Sequence, residues 1–136
     1  MRQRIFVFGA NLSGIHGKGA ALHAKEHYGA EYGVPLGRTG SAYAIPTKGQ
    51  RVEPVGGRPY FPVLPLSTIA EHARTFCVYA EQNPHLDFQL TAVGCGLAGY
   101  KPQQVAPLFA AAPRNVLFPP EWRQALPRLA EGRFWA

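Results

Sequence analysis

The chain has 136 residues, of which 46% are hydrophobic and 16% charged, and its net charge is +6. No apolar run approaches the ~20 residues that cross a bilayer, residues 1–8 do not have the pattern expected of a secretory signal, and the only two cysteines are Cys77 and Cys95. We therefore expect one cytoplasmic domain over residues 1–136, with no membrane partner, no disulfide framework, no metal site and no cofactor.

Strands and helices are predicted to alternate along the chain. Short runs rich in β-formers predict strands, and longer stretches with apolar residues at helical spacing predict helices. In chain order these are a strand over 4–8, a helix over 20–28, a strand over 41–45, a helix from 68 to about 83, a strand over 88–93, a helix over 101–112 and a strand over 115–118. This alternation favours a parallel or mostly parallel sheet that is covered on both faces.

Three local signals complete this prediction: they concern the start of one helix, one loop and the C-terminal tail. Thr68 and Glu71 fit a capping box, so the long helix should begin at Thr68. Residues 49–62 have no clear period and predict a mobile loop, and the tail from Glu121 predicts one interrupted helix.

Two glycine-rich loops each follow a predicted strand and precede a predicted helix. The first glycine loop covers residues 9–21 and the second covers residues 94–100. Because such loops meet at the carboxyl edge of an open α/β sheet, they should be neighbours in space. Glycine permits positive φ and close backbone approach, so successive amides can point at a phosphate with a helix N-terminus behind them. The loops therefore predict a cradle for a diphosphate.

Two nucleotide-binding motifs can be tested against these loops. Gly17-Lys18 suggests a P-loop, but Leu12 stands where the first glycine is required, and Gly19 where a Ser or Thr is required. The second loop matches G-x-G-x-x-G, with Glu121 at a tolerable distance, but too little chain remains for a dinucleotide domain. An alternative is that the glycines only allow tight packing.

The positive charge indicates an anionic partner of one of two kinds. The basic residues are scattered and mostly single arginines, whereas a nucleic-acid surface usually clusters Lys and Arg with aromatic residues. A phosphate-bearing small molecule explains the charge equally well, and nucleic acid stays open as a partner.

Four segments around these loops resemble the macro domain family. Residues 8–11 are similar to the family's Asn-Ala-Ala-Asn strand end, and residues 14–21 to its Gly-Gly-Gly-Val-Ala loop. The closest likeness is to the subclass of terminal ADP-ribose protein glycohydrolase and of the antitoxin that removes ADP-ribose from thymidine in DNA. Residues 46–48 are similar to that subclass's Thr-Lys pair, and residues 93–97 to its Ile-Gly-Cys-Gly-Leu motif. The likeness extends over residues 5–118.

The resemblance implies an α/β fold of macro-domain type, a three-layer α/β/α sandwich around a mixed central sheet. It implies a crevice between the two glycine loops that binds ADP-ribose, a related NAD-derived nucleotide or an ADP-ribosylated macromolecule. The ligand-binding residues expected on this basis lie in the two loops and at the end of the central strand, and they are Gly9, Asn11, His16, Gly17, Gly19, Ala20, Thr47, Gly94, Cys95, Gly96, Leu97, Ala98, Gly99 and Tyr100.

Lys48 is the candidate catalytic residue that the resemblance implies. In the family's glycohydrolases this lysine attacks the anomeric carbon, which requires a lowered pKa because an ammonium group has no lone pair to donate. The aspartate that helps to release the bound group in those enzymes is replaced here by Ala98. We therefore expect either an ADP-ribosyl glycohydrolase acting through Lys48, or a non-catalytic nucleotide sensor or sequestering module. A third candidate is a basic nucleic-acid-binding protein without a nucleotide pocket, and in that case Lys48 is an exposed loop lysine.

Several polar residues admit two interpretations. Asn11 either contacts the distal ribose, as the resemblance implies, or shapes the loop turn. His16 either positions a phosphate or faces solvent, and it could also support Cys95 as a nucleophile. His16, Tyr43 or Tyr100 could stack on a base.

Overall fold

The computed structural model of the chain describes residues 2–136, and within them the strands form one five-stranded mixed sheet. The strands are β1 (Gln3–Asn11), β2 (Gly37–Thr39), β3 (Ala42–Lys48), β4 (Leu86–Leu90) and β5 (Val116–Leu117). The α-helices are α1 (Gly19–His27), α2 (Leu66–Gln82) and α3 (Pro102–Val105). Short 3-10 helices follow at Ala106–Phe109, Pro120–Trp122 and Glu131–Arg133. No helix in this part of the chain is long and apolar enough to cross a membrane.

The sheet has the order β2-β3-β1-β4-β5, with β1 at its centre. β1 pairs in parallel with β3 and β4, β4 pairs in parallel with β5, and β2 is antiparallel to β3. The predicted predominance of parallel pairing is therefore confirmed, with β2 as the antiparallel exception. Because β1, β3 and β4 run the same way, their carboxyl ends meet at one edge of the sheet.

The two faces of the sheet are buried by different helices. Along β1 alternate side chains point to opposite faces, so Ile5 and Val7 lie on one side and Phe6 and Phe8 on the other. Burial on both sides explains why the segment is an almost continuous apolar run.

Helix α1 packs on the face that carries Phe6 and Phe8. It turns the small side chains Ala21 and Ala24 toward the sheet, where β3 presents further alanines. Small residues on both elements allow the helix backbone to lie close to the sheet. This approach brings the N-terminus of α1 to the carboxyl edge, next to the end of β1.

Helix α2 packs on the opposite face with a larger apolar stripe. Its buried residues Ile69, Ala73, Phe76 and Ala80 recur at helical spacing, as the sequence predicts. The Phe76 ring meets rings from β3, β4 and the Ala106–Phe109 turn at centroid distances of 5.1 to 6.2 Å. These rings belong to the larger of the two clusters of buried apolar side chains, which we call the main core.

Helix α2 begins at Leu66, two residues before the predicted start. The N-cap is Pro65, and the predicted capping box at Thr68 is wrong. The Thr68 amide donates to the Pro65 carbonyl at 3.0 Å, so the chain is already turning at Thr68. Its hydroxyl is therefore one turn too late to cap the helix.

Strand β3 continues through Pro46 to Lys48, past its predicted end. Proline is tolerated there because β2 pairs only with Ala42–Ala44 and the next partner on that side, Val63, pairs with Lys48, so Pro46 itself has no ladder partner there. On the other side Pro46 lies opposite Ala10 of β1, and a bulge follows. The extension carries Thr47 and Lys48 to the sheet edge.

The C-terminal half is less helical than predicted. Pro107 breaks the predicted helix over 101–112 into α3 and a 3-10 turn, because proline has no N–H to donate. The tail forms two 3-10 turns in place of one interrupted helix. It is tied to the sheet by the Trp135 indole N–H, which donates to the Leu90 carbonyl at 2.7 Å.

Two connections also differ from their predictions. The segment 29–40, predicted as connection only, contains β2. The segment 49–62 contains an isolated antiparallel bridge between Val52 and Tyr60, and Lys48 pairs with Val63 beside it. The Lys48–Val63 pairing joins residues that are far apart in sequence, whereas β2 and the Val52–Tyr60 bridge are too short to show a hydrophobic period.

Candidate functional site

A cavity of about 480 Å³ opens at the carboxyl edge of the sheet, where β1, β3 and β4 end. Both glycine loops and the end of β3 contribute to its wall, so the structure brings together the three segments that the sequence singles out. The lining residues are Gly9, Ala10, Asn11, Ile15, Gly17, Lys18, Gly19, Ala20, Ala21, Thr47, Lys48, Phe61, Thr91, Ala92, Val93, Gly94, Gly96, Leu97 and Ala98.

The first glycine loop presents the N-terminus of α1 to the cavity. The N-cap residue Lys18 has an extended backbone and its side chain makes no capping hydrogen bond. The amides of the first helical turn have no intrahelical acceptor, and Gly19, Ala20 and Ala21 all line the cavity. Unsatisfied N–H groups and the positive end of the helix dipole together favour an anion at this wall.

The second glycine loop is a compact turn that leaves amides free on the other side of the cavity. The Tyr100 amide donates to the Gly94 carbonyl at 2.9 Å, which closes the turn. Within residues 2–136, the amides of Gly96, Leu97 and Ala98 have no hydrogen-bond acceptor, and these three residues line the cavity. A second set of donors is therefore available to a ligand.

Glycine is favoured where the two loops meet the end of β3. A Cβ added to Gly9 would lie 3.3 Å from Thr47 Oγ1, a tight contact that the threonine side chain would have to relieve by a small shift. Gly94 has a φ of +77°, a conformation that disfavours side chains, and a Cβ there would contact Val105 and Tyr100. Gly9 and Gly94 therefore allow close packing at the base of the cavity, as the alternative interpretation of the glycine loops predicts.

The charge of the lining is positive. Lys18 and Lys48 contribute to it, and none of the lining residues, all of which lie within the described chain, carries a carboxylate. Ala98 lines the cavity where the resemblance would place an aspartate. The cavity is therefore suited to an anionic ligand, and its wall offers no carboxylic acid to protonate a leaving group.

Asn11 lines the cavity and also shapes the first loop. Its side-chain amide donates to the Ile15 carbonyl at 2.9 Å, and the Ile15 amide donates to Asn11 Oδ1 at 3.1 Å. The turn-forming interpretation of Asn11 is thus observed. One N–H and one lone pair of the side chain remain free for a ligand. Contact of Asn11 with a distal ribose therefore stays a prediction.

Phe61 is a lining residue that the sequence analysis did not identify. The Gly49 amide donates to the Pro62 carbonyl and the Leu64 amide to the Thr47 carbonyl, and these bonds hold residues 60–64 beside the end of β3. Phe61 is the one aromatic residue of the lining. Only this non-local pairing brings it to the site, and no sequence signal indicates it. Seven further lining residues were also not identified as site residues, namely Ala10, Ile15, Lys18, Ala21, Thr91, Ala92 and Val93.

Four expected ligand-binding residues do not line the cavity, namely His16, Cys95, Gly99 and Tyr100. The Tyr100 hydroxyl donates to the Leu64 carbonyl at 2.6 Å, which ties the second loop to the segment that holds Phe61. Cys95 packs against the main core, and burial raises the pKa of its thiol, which disfavours the thiolate that a nucleophile needs. Gly99, with a φ of +83°, serves the turn.

His16 and Tyr43 are buried and therefore do not present a face to a base. Only 1% of His16 is exposed, and neither of its two interpretations, phosphate contact or exposure to solvent, fits this position. Tyr43 packs between Phe76 and Tyr79 below the sheet, and burial raises the pKa of its hydroxyl to about 12.

No three His, Cys, Asp or Glu side chains within residues 2–136 come together as a set that would hold a metal ion. Comparison of the chain with protein-family models, with curated proteins and with solved structures gives no significant match.

Proposed function

We propose that the cavity binds ADP-ribose or a related NAD-derived nucleotide through its diphosphate. One observation carries the proposal: two sets of unpaired backbone amides, Gly19–Ala21 and Gly96–Ala98, line the same cavity from different loops. A diphosphate has two adjacent anionic groups, so each set can serve one phosphate. Lys18 and Lys48 add positive charge, and the volume of about 480 Å³ is in the range of small-molecule sites.

The macro-domain interpretation of the fold belongs to the same proposal. In its support, α1 and α2 pack on opposite faces of a mixed sheet, as in a three-layer α/β/α sandwich. The candidate site also lies between the loops after β1 and β4, where the resemblance implies the crevice.

A second candidate activity is hydrolysis of an ADP-ribosyl bond, and the position of Lys48 in the lining favours it. In this reaction the neutral amine of Lys48 would attack the anomeric carbon, and the bond to the conjugate would break with its electron pair leaving on the conjugate. The conjugate then needs a proton, and water must later displace the lysine. Since Ala98 supplies no acid, the reaction should be slow and confined to conjugates that leave readily. The alternative on the same cavity is a non-catalytic sensor or sequestering module.

Binding is tested by calorimetric titration with ADP-ribose, AMP, NAD and a short single-stranded DNA in parallel. The informative variant is Gly96→Val, because a Cβ at Gly96 meets no atom within 4 Å and the fold should tolerate it. The new side chain would stand in front of the second set of amides, so binding of ADP-ribose should be lost. Gly132→Val is the matched control, since Gly132 is equally unobstructed and lies outside the lining.

Both variants should unfold at the temperature of the parent, and only Gly96→Val should lose ADP-ribose. Equal affinity in Gly96→Val and the parent would place the ligand elsewhere. AMP should bind more weakly than ADP-ribose because it supplies only one phosphate.

A further inference from the structure

His16 is a buried histidine whose ring nitrogens make no hydrogen bond of normal geometry. It is 1% exposed, and within residues 2–136 neither Nδ1 nor Nε2 has a well-placed partner, although the Val34 backbone lies close enough to favour a proton on the ring. Its ring meets the Phe8 ring edge-on at a centroid distance of 5.3 Å and the Tyr32 ring at 6.2 Å. Burying an imidazole without hydrogen bonds has a free-energy cost, so a role beyond filling space is worth testing.

The position of His16 connects this burial to the cavity. Its chain neighbours Ile15 and Gly17 both line the cavity, whereas His16 itself packs on the sheet behind them. Two further contacts fix the same loop: the Asn11 side chain is bonded to Ile15, and the Gly33 amide donates to the Gly14 carbonyl at 2.8 Å. Among the side chains of residues 12–18, His16 is the most deeply buried.

We propose that His16 is a positioning residue of the cavity, whose neutral imidazole anchors residues 12–18 against Phe8 and releases them when it is protonated. The purpose of this anchoring rests on the proposed function, because residues 12–18 lead into the amides of α1 that would hold a phosphate. The opening of the segment, however, can be measured without any ligand.

The groups around His16 oppose a positive charge on its ring. β1 contributes the uncharged Phe8 ring, and the 30–34 connection contributes the Tyr32 phenol and the Val34 backbone. α1 contributes the cation Lys25, whose Nζ lies 5.1 Å from the Tyr32 ring centre. Burial lowers the pKa of His16 below its ordinary value of 6.5, Lys25 lowers it further, and the Val34 backbone does not outweigh them.

The sign of the pH effect follows from this arrangement. In the open form His16 has an ordinary pKa near 6.5, whereas in the closed form its pKa is lower, so opening takes up a proton below pH 6.5. The equilibrium constant for opening should therefore rise by up to about tenfold between pH 7.5 and pH 5.5.

The experiment is amide hydrogen exchange of the ligand-free protein at pH 7.5 and 5.5, read on peptides that cover residues 12–18. After correction for the intrinsic exchange rate, these amides should exchange up to about tenfold faster at pH 5.5 in the parent. The rate should be nearly independent of pH in His16→Leu, which has a similar volume and cannot titrate. His85→Leu removes an exposed imidazole and should behave as the parent.

An equal pH dependence in the parent and His16→Leu would overturn the inference. If His16→Leu does not fold, the His16 resonance of the parent decides, because a pKa at or above 6.5 in the folded protein excludes the mechanism. Addition of ADP-ribose at pH 7.5 tests the proposed function separately, since binding should slow exchange over residues 12–18 in the parent and in His16→Leu. Absence of that slowing counts against the ligand and leaves the pH comparison valid.

Discussion

At the scale of single residues, Lys48 decides between an enzyme and a binding protein. It lies at the end of β3 and lines the cavity, and within residues 2–136 it makes no ion pair. A free cation suits both roles, since it can attract a phosphate or, once deprotonated, attack a carbon atom. The absence of an acid at Ala98 makes the second role the more demanding one.

If the protein is an enzyme, we expect slow hydrolysis of base-linked or ester-linked ADP-ribose and its loss in Lys48→Met, because methionine keeps the stem and removes the amine. Ala98→Asp should raise the rate by about 10²-fold, the usual gain from a placed general acid. The measurements are product release and the mass added at Lys48, since opening of the ribose ring turns the lysine adduct into an imine that borohydride reduces to a stable amine. Lys101→Met, which removes an exposed lysine outside the lining, is the control.

Undiminished turnover in Lys48→Met would rule out the lysine mechanism. Tight binding of ADP-ribose without turnover of any conjugate would identify a reader or sequestering protein.

At the scale of elements, the packing of α2 carries much of the stability. Phe76 is fully buried among rings from β3, β4 and the Ala106–Phe109 turn, so its removal leaves a cavity that rigid strands cannot close. Phe76→Ala should therefore lower the free energy of unfolding by about 3–5 kcal/mol. Urea denaturation measures the change. Val78→Ala on the same helix, at a side chain that is 45% exposed, should change it by less than about 1 kcal/mol. Similar losses in the two variants would show that α2 does not pack as described.

Also at this scale, the sequence predicted the bounds of an element only where the contacts that set those bounds are local. The apolar stripe of α2 and the buried run of β1 were predicted because their periods are local. The extension of β3 through Pro46 was not, because it depends on the β2 pairing reaching no further along β3 than Ala44. The strand β2 itself is only three residues long and has no buried side chain, so no hydrophobic pattern marks it.

At the scale of the whole molecule, the net charge of +6 can act on any polyanion. The basic residues are scattered, so we expect only weak binding of plain single-stranded DNA, with an affinity that falls about tenfold or more between 50 and 200 mM salt. ADP-ribose carries only two charges and should lose less than about threefold over the same range, because uncharged backbone amides supply most of its hydrogen bonds and salt screens these little. Titrations at both salt concentrations measure this difference. Tight, steeply salt-dependent DNA binding beside weak ADP-ribose binding would favour the nucleic-acid-binding alternative.

The sequence by itself determined the class of fold and the segments of the candidate site. Alternating apolar runs and glycine loops indicate an α/β sheet with a ligand edge, and 11 of the 15 expected site residues line the cavity. These signals are local, since a strand period, a glycine and a helix start each lie within a few residues. The tertiary structure decided which side chains reach the cavity. Phe61 reaches it through a pairing with the end of β3, whereas His16 turns away because the face of β1 behind the loop offers Phe8 as a packing partner. The direction of a loop side chain is set by contacts with residues that are distant in sequence, and folding alone brings those residues together.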